Sequence, residues 1–275
     1  MSKIRVAALQ LNSQPDTRLS LKEAEQWLRR ASDAGAELAA LPENFAFLGN
    51  ERMMREQAAD VNKAVMEILP GWSTRFGMNI LAGGFPAPAG DGKVHNRSVL
   101  TGKDGSILST YDKIHLFDVE LSDEEYYRES DYVMPGDTKI KPVEIPVSSE
   151  KGDVVKAGLS ICYDVRFPEL YRRLAKEGAE LFFVPSAFTR TTGKMHWEVL
   201  LRARAVENTS WVIAPAQTGT HGKKRETYGH AMIIHPDGRV LKDAGTETGF
   251  IIHEIDTDET RDVRRKLPSL EHRRL

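Results

Sequence analysis

Gly158-Leu-Ser-Ile-Cys162-Tyr-Asp164-Val-Arg166-Phe-Pro-Glu169 holds the single cysteine of the chain, and its reading organises the rest. An apolar strand ends here, the backbone turns sharply, and a helix opens with Pro168 in its first turn, where proline's missing N–H breaks no helical bond. The thiol therefore sits where a strand hands over to a helix. Unpaired N–H groups and the positive end of a helix dipole at that junction are expected to favour the thiolate. From composition alone a lone cysteine is read as a small buried hydrophobe. Its companions elsewhere in the chain reverse that reading.

Two further stretches end buried segments with a polar group. Ala39-Ala-Leu-Pro-Glu43-Asn-Phe places a carboxylate after a second apolar strand, and Thr110-Tyr-Asp-Lys113-Ile-His115-Leu-Phe117 places a lysine after a third. Glu, Lys and Cys at strand ends are the residue types that attack an amide or nitrile carbon without a metal. A carboxylate takes the thiol proton, a cation steadies the oxyanion, and sulfur forms the bond.

Outward from these stretches, composition sets bounds. The chain has 275 residues, 40% hydrophobic and 28% charged, which suits one large α/β domain over 1–275 better than two small ones. A net charge of −2 gives no electrostatic reason to expect nucleic acid or an anionic membrane as partner. Met-Ser-Lys-Ile-Arg-Val enters a strand at once, without a signal-like apolar stretch, and no membrane-length run follows, so a cytoplasmic protein is expected. One cysteine forbids an intramolecular disulfide and fits a reducing compartment. The eight histidines show no pair at the spacing of a zinc-binding helix, and the thiol has no CxxC partner. Neither a metal nor a cofactor is expected.

Hydrophobic periodicity predicts strands at Ile4–Leu11, up to Glu43, and at Asn79–Phe85, with helices over Asp16–Ala34 and about Glu51–Leu69. Pro86–Lys93 reads as a loop. Val94–Thr101 and Ser106–Tyr111 read as a hairpin through Asp104-Gly105 that delivers Lys113. From His115 to Gly136 charge is high, through Asp118, Asp123, Glu124 and Glu129 among others, and no period is sustained. A loop that long inside a compact domain is more often functional than idle. The second half predicts strands at Val154–Ile161, Glu180–Pro185, Trp211–Gln217, Gly229–His235 and Phe250–Ile255. Helices are predicted over Phe167–Lys176, Lys194–Asn208 and Thr257–Lys266.

Leu-Pro-Glu43-Asn, Tyr-Asp-Lys113-Ile-His-Leu-Phe and Cys162-Tyr-Asp-Val-Arg-Phe-Pro-Glu resemble, in the right order, the three signature blocks of the carbon–nitrogen hydrolase (nitrilase) superfamily. The resemblance implies a four-layer α-β-β-α sandwich, two mixed sheets face to face with helices outside both. It implies Glu43 as base, Lys113 and the Tyr163 N–H as oxyanion donors, Cys162 as nucleophile, and a thioester intermediate. A second glutamate near the lysine maps to Glu129; a solvated charged lid is the alternative there. Burial and Glu129 are expected to raise the Glu43 pKa.

Ser186-Ala-Phe188-Thr-Arg190-Thr-Thr192-Gly and the helix after it resemble the Nit-type amidase branch. Ala216-Gln-(x)-Gly-(x)-His221, Lys224-Arg225 and Tyr228-Gly-His230 are similar in turn to the deaminated glutathione amidases within it. Their substrate carries two carboxylates, which arginines clamp by bidentate pairing. Arg166, Arg190 and Arg225 are the candidates, with Tyr163, Phe188 and Thr192 as accompanying pocket residues. Arg202 and Arg204 are read as internal salt-bridge partners of Glu198 and Glu207. An omega-amidase on 2-oxoglutaramate or 2-oxosuccinamate, another small amide or nitrile hydrolase, and a catalytically silent scaffold are the alternatives. The resemblance also implies a homodimer or higher even oligomer through Phe167–Lys176 and Lys194–Asn208, with the tail 267–275 crossing onto the partner.

Overall fold

A computed structural model describes residues 3–122, 125–147, 153–222 and 225–274. Asp123, Glu124, Lys224 and Leu275, which belong to segments singled out above, lie outside them. The first half contains β1 (Lys3–Leu11), α1 (Thr17–Asp33), β2 (Leu38–Ala40), α2 (Glu51–Phe76), β3 (Asn79–Pro88), β4 (Val94–Thr101) and β5 (Ile107–Asp112). A hairpin follows, β6 (Asp118–Ser122) and β7 (Glu125–Arg128), then β8 (Val143–Pro146) and β9 (Val154–Leu159). The second half contains α3 (Pro168–Lys176), β10 (Leu181–Phe183), α4 (Arg190–Asn208), β11 (Trp211–Ala214), β12 (Ala216–His221), β13 (Arg225–Tyr228), β14 (Met232–Ile234), β15 (Val240–Asp243), β16 (Gly249–Asp256) and α5 (Thr257–Lys266).

These build two mixed sheets. One runs β13-β12-β1-β2-β3-β4-β5 with β16 also on β1; the other runs β15-β14-β11-β10-β9-β8. Alternating residues of each strand serve different layers, because successive side chains point to opposite faces. Ile4, Val6 and Ala8 of β1 meet Val155, Leu159, Phe183 and Ile213 of the other sheet. Ala7, Leu9 and Leu11 instead face Leu28, Val61 and Trp72 of α1 and α2. On the far side α3 and α4 cover the second sheet through Tyr171, Leu174, Trp197 and Leu201 against Phe182, Val184 and Val212. Three apolar seams between four layers make the α-β-β-α sandwich.

Several boundaries differ from the sequence reading. Helix α2 runs on through Pro70 to a left-handed Gly77. Burial of Leu69, Trp72 and Ser73, with Ser73 hydroxyl-bonded to Thr101 at 2.6 Å, outweighs the backbone hydrogen bond that proline removes. Strand β3 extends through Pro86 and Pro88, because β2 pairs only with Asn79–Leu81 and leaves that side of β3 with no ladder to break. Pro215 splits the predicted Trp211–Gln217 strand: β11 lies in one sheet and β12 in the other. Helix α4 begins at Arg190 rather than Lys194, capped by Thr189, whose hydroxyl accepts from the Thr192 N–H. The aperiodic segment after His115 includes the β6–β7 pair, which among the described residues forms a two-stranded sheet of its own, followed by a 3-10 turn over Glu129–Asp131.

Candidate active site

Glu43 lies three residues beyond β2, Lys113 directly after β5, and Cys162 three residues beyond β9. Register brings the first two together, since β2 pairs with β3, β3 with β4 and β4 with β5. Face-to-face packing of the sheets then brings Cys162 opposite both. The Glu43 turn rests directly on a bulge of β3 at Gly83-Gly84. A Cβ on Gly83 would stand 2.3 Å from the carbonyl oxygens of Leu41 and Pro42, and one on Gly84 would stand 2.1 Å from Asn96 Oδ1. Glycine is required at both for the turn to approach.

Lys113 is 2% exposed, and its ammonium donates to both Glu129 oxygens at 2.9 and 2.8 Å and to Glu43 Oε1 at 3.3 Å. Burial by itself lowers an ammonium pKa, but the Glu129 and Glu43 carboxylates outweigh it and hold Lys113 protonated well above its ordinary range. Glu43 Oε1 also accepts from Asn96 Nδ2 at 2.8 Å, and Oε2 from the Ala187 N–H at 2.8 Å. Burial pushes the Glu43 pKa up; Lys113, the Cys162 thiol, Arg225 and the Ala187 N–H together pull it below its ordinary value. The expected rise is therefore reversed: the ammonium beside it, more than Glu129, sets its charge.

The thiol also differs from expectation. Residues Cys162–Arg166 form a 3-10 turn, and α3 starts only at Pro168, so the sulfur does not sit at the first turn of that helix. Burial first, then the Glu43 charge, push the thiol pKa far above its ordinary value, outweighing Lys113. The resting pair is a neutral thiol beside a carboxylate. Cys162 has φ of 48°, a left-handed conformation that costs a non-glycine residue about 1 kcal/mol. Asp164 holds the turn in that shape. Fully buried, it accepts from the Ile161 N–H at 2.8 Å, Tyr111 hydroxyl at 2.7 Å, His115 N–H at 3.0 Å and His115 Nδ1 at 2.7 Å. The Tyr163 N–H has no acceptor among the described residues.

A cleft of about 1800 Å³ opens over these groups. Glu43, Lys113, Glu129, Cys162, Tyr163, Phe188, Arg190, Thr192 and Arg225 all line it. Arg166 does not: it lies over the Tyr163 and Phe188 rings and donates to His196 Nδ1 at 3.3 Å. Arg190 is on the rim, its side chain 70% exposed and paired with Glu226 at 3.1 Å. Arg225 is half-buried, and its buried Nε has no hydrogen-bond partner among the described residues. Its charge reaches Glu43 and His221. Arg202 and Arg204 pair with Glu198 and Glu207 at 3.3 and 2.7 Å. Sequence reasoning missed Asn96, and also Gln217, whose Nε2 donates to the Glu43 carbonyl at 3.0 Å. The Gly83-Gly84 pair inside a strand was the available signal for a close backbone approach. Among the described residues no group of three or more His, Cys, Asp or Glu side chains is arranged to hold a metal ion.

A half-buried cysteine faces a carboxylate and an ammonium across a four-layer sandwich, and the family model for carbon–nitrogen hydrolases matches residues 5–265. The chain belongs to that family and is a C–N hydrolase acting on amides. It is 52% identical over 275 residues to a Synechocystis sp. protein named deaminated glutathione amidase, covering 99% of each chain. The crystal structure of C. elegans NitFhit superposes with a TM-score of 0.92 at 35% identity, covering 100% of this chain and 66% of that one, so this chain spans about two thirds of the fusion protein. Saccharomyces cerevisiae Nit3, described as a member of branch 10 of the nitrilase superfamily, superposes with a TM-score of 0.86 at 28% identity, covering 100% and 97%. No helix among the described residues is long and apolar enough to cross a membrane.

Proposed function

We propose that the protein hydrolyses deaminated glutathione to 2-oxoglutarate and cysteinylglycine, through a thioester on Cys162 and without a cofactor. The observation that carries the chemistry is the meeting of Glu43, Lys113 and Glu129 beside the sulfur; the 52% identity to a deaminated glutathione amidase supports the substrate. Glu43, ionised at rest, takes the thiol proton as sulfur bonds to the amide carbon. Lys113 and the Tyr163 N–H hold the oxyanion. The proton on Glu43 goes to the departing amine of cysteinylglycine as the C–N bond breaks. A water then gives its proton to Glu43 and its oxygen to the acyl carbon; the proton returns to sulfur, and the acid is released. Glu129 keeps Lys113 charged and aimed.

Arg225 is the clamp for the acyl-side carboxylate, because of the two candidate arginines that line the cleft, Arg190 is an exposed rim residue paired with Glu226, whereas Arg225 has a buried Nε without a hydrogen-bond partner among the described residues. A second copy of the chain docks on the outer face of α4, where Met195, Val199 and Val206 are exposed, and we assign the tail residues 267–274, with Leu267 exposed, to the same contact. We read the chain as a single domain working in the cytoplasm. The test is a side-by-side assay of deaminated glutathione, 2-oxoglutaramate and a simple nitrile, following cysteinylglycine or ammonia. Higher kcat/KM on deaminated glutathione is expected, and a clear preference for 2-oxoglutaramate overturns the substrate. Sedimentation velocity tests the dimer.

A further inference from the structure

Arg225 sits at the start of β13, which pairs with β12 on one side and on the other meets Thr189 in a bridge at Thr227 and the Phe188 carbonyl through the Tyr228 N–H, two and three residues beyond Arg225. The residue opposite Arg225 in the ladder is His221, which is 3% exposed and bonded through both ring nitrogens. Nδ1 lies 2.7 Å from the Ser13 carbonyl and Nε2 lies 2.6 Å from the Thr227 hydroxyl. A carbonyl has no proton to give, so Nδ1 carries the hydrogen and Nε2 accepts from Thr227. Thr227 is two residues beyond Arg225, and in a strand that places the two side chains on one face. The imidazole therefore pins β13 at the position that projects beside the guanidinium.

Its other anchor leads to the base. The Ser13 N–H donates to Gln217 Oε1 at 3.0 Å, the Ser13 hydroxyl donates to the Phe45 carbonyl at 2.9 Å, and Gln217 Nε2 donates both to that hydroxyl at 2.8 Å and to the Glu43 carbonyl at 3.0 Å. Ser13 thus serves the Glu43 turn and the Arg225 hairpin at once. We propose that His221 is a positioning residue: its neutral imidazole locks the β12–β13 hairpin to Ser13 so that Arg225 faces the reacting centre, and so sets the preference for acyl groups that carry a carboxylate. Burial and the nearby Arg225 charge push the His221 pKa down to about 4, which keeps the ring in the neutral form this lock uses. The inference rests on Arg225 being the clamp, and the experiment separates the two.

The readout is the ratio of kcat/KM for deaminated glutathione to that for 4-oxopentanoyl-cysteinylglycine, in which a methyl replaces the acyl-side carboxylate. Arg225→Ala is expected to abolish this preference; a preference that survives overturns the clamp and, with it, the role of His221. His221→Phe and Thr227→Val are expected to cut the preference about tenfold, chiefly through KM for the anionic substrate, because a clamp displaced by a fraction of an ångström loses its bidentate fit. In the Arg225→Ala background, Thr227→Val is expected to change the ratio no further. If Arg225→Ala removes the preference while both lock variants leave it within about twofold of the parent, or lower both substrates equally, His221 is structural only and the inference fails. Should His221→Phe prove insoluble, Thr227→Val alone decides, since it removes one hydroxyl and leaves the ring in place.

Discussion

The turn that carries Glu43 and the elbow that carries Cys162 end strands of opposite sheets, and each bends through a left-handed residue, Asn44 at φ 59° and Cys162 at φ 48°. They are furnished in opposite ways. Around Glu43 the side chain itself is bonded, by Asn96, Lys113 and Ala187, and the carbonyl behind it by Gln217. Around Cys162 it is the backbone that is held: its N–H donates to the Pro185 carbonyl at 2.9 Å and Asp164 accepts from the preceding Ile161 N–H, while the sulfur is left among apolar neighbours, Glu43 and Lys113. Donors stabilise a charge and dry surroundings disfavour one, so the negative charge rests on the carboxylate and the proton on sulfur. The difference teaches that the surroundings of Cys162 favour the neutral thiol, so a reaction at sulfur would need its proton taken by a neighbour such as Glu43.

The largest effect that would break this comparison comes from Glu43→Gln. Loss of the proposed base is expected to lower kcat by at least about a thousandfold. The same change removes a charge that disfavours the thiolate while Lys113 remains, so the thiol pKa should fall, followed by thiolate absorbance across a pH titration. A pKa that stays or rises would show that the carboxylate does not control the sulfur. Next comes Asp164→Ala. Removing a fully buried acceptor of four bonds is expected to destabilise the fold by about 3 kcal/mol, read as a lower urea midpoint with m unchanged. A loss below about 0.5 kcal/mol would mean that the elbow keeps its shape without Asp164.

Acid sharpens the Glu43 side with the smallest effect. His221, behind that turn, has a folded-state pKa of about 4 against 6.5 ordinarily, so the unfolded chain binds its proton first. The stability it contributes is present above pH 6.5 and is lost as pH falls through that window toward 4, by up to roughly 2–3 kcal/mol. Glu43, also lowered, adds its own loss below its ordinary value of 4.5. Urea midpoints measured from pH 7 to 4 should fall in the parent and less steeply in His221→Phe; equal slopes would contradict a neutral, buried ring.

Much of this site was legible because its groups sit in short local patterns. A strand, an elbow and Pro168 announce Cys162, and a hairpin through Asp104-Gly105 delivers Lys113. The pattern stops being local at Pro70, which reads as a helix end until Trp72 and Ser73 find burial, and at Pro215, where the chain changes sheets. It fails for the segment after His115, whose two short strands, among the described residues, pair with each other outside both large sheets.

The sequence by itself determined which polar residues close the buried strands and in which order they occur, because strand ends, caps and turn residues are written in a few neighbouring side chains. The tertiary structure alone decided their charges and their supports. Whether Glu43 is ionised, whether the thiol keeps its proton, and which arginine faces the cleft depend on groups tens to hundreds of residues apart: Lys113 beside Glu43, Ser13 beside His221, Arg225 across from both. Burial and Coulomb interaction act through space, and spacing along the chain carries no record of them.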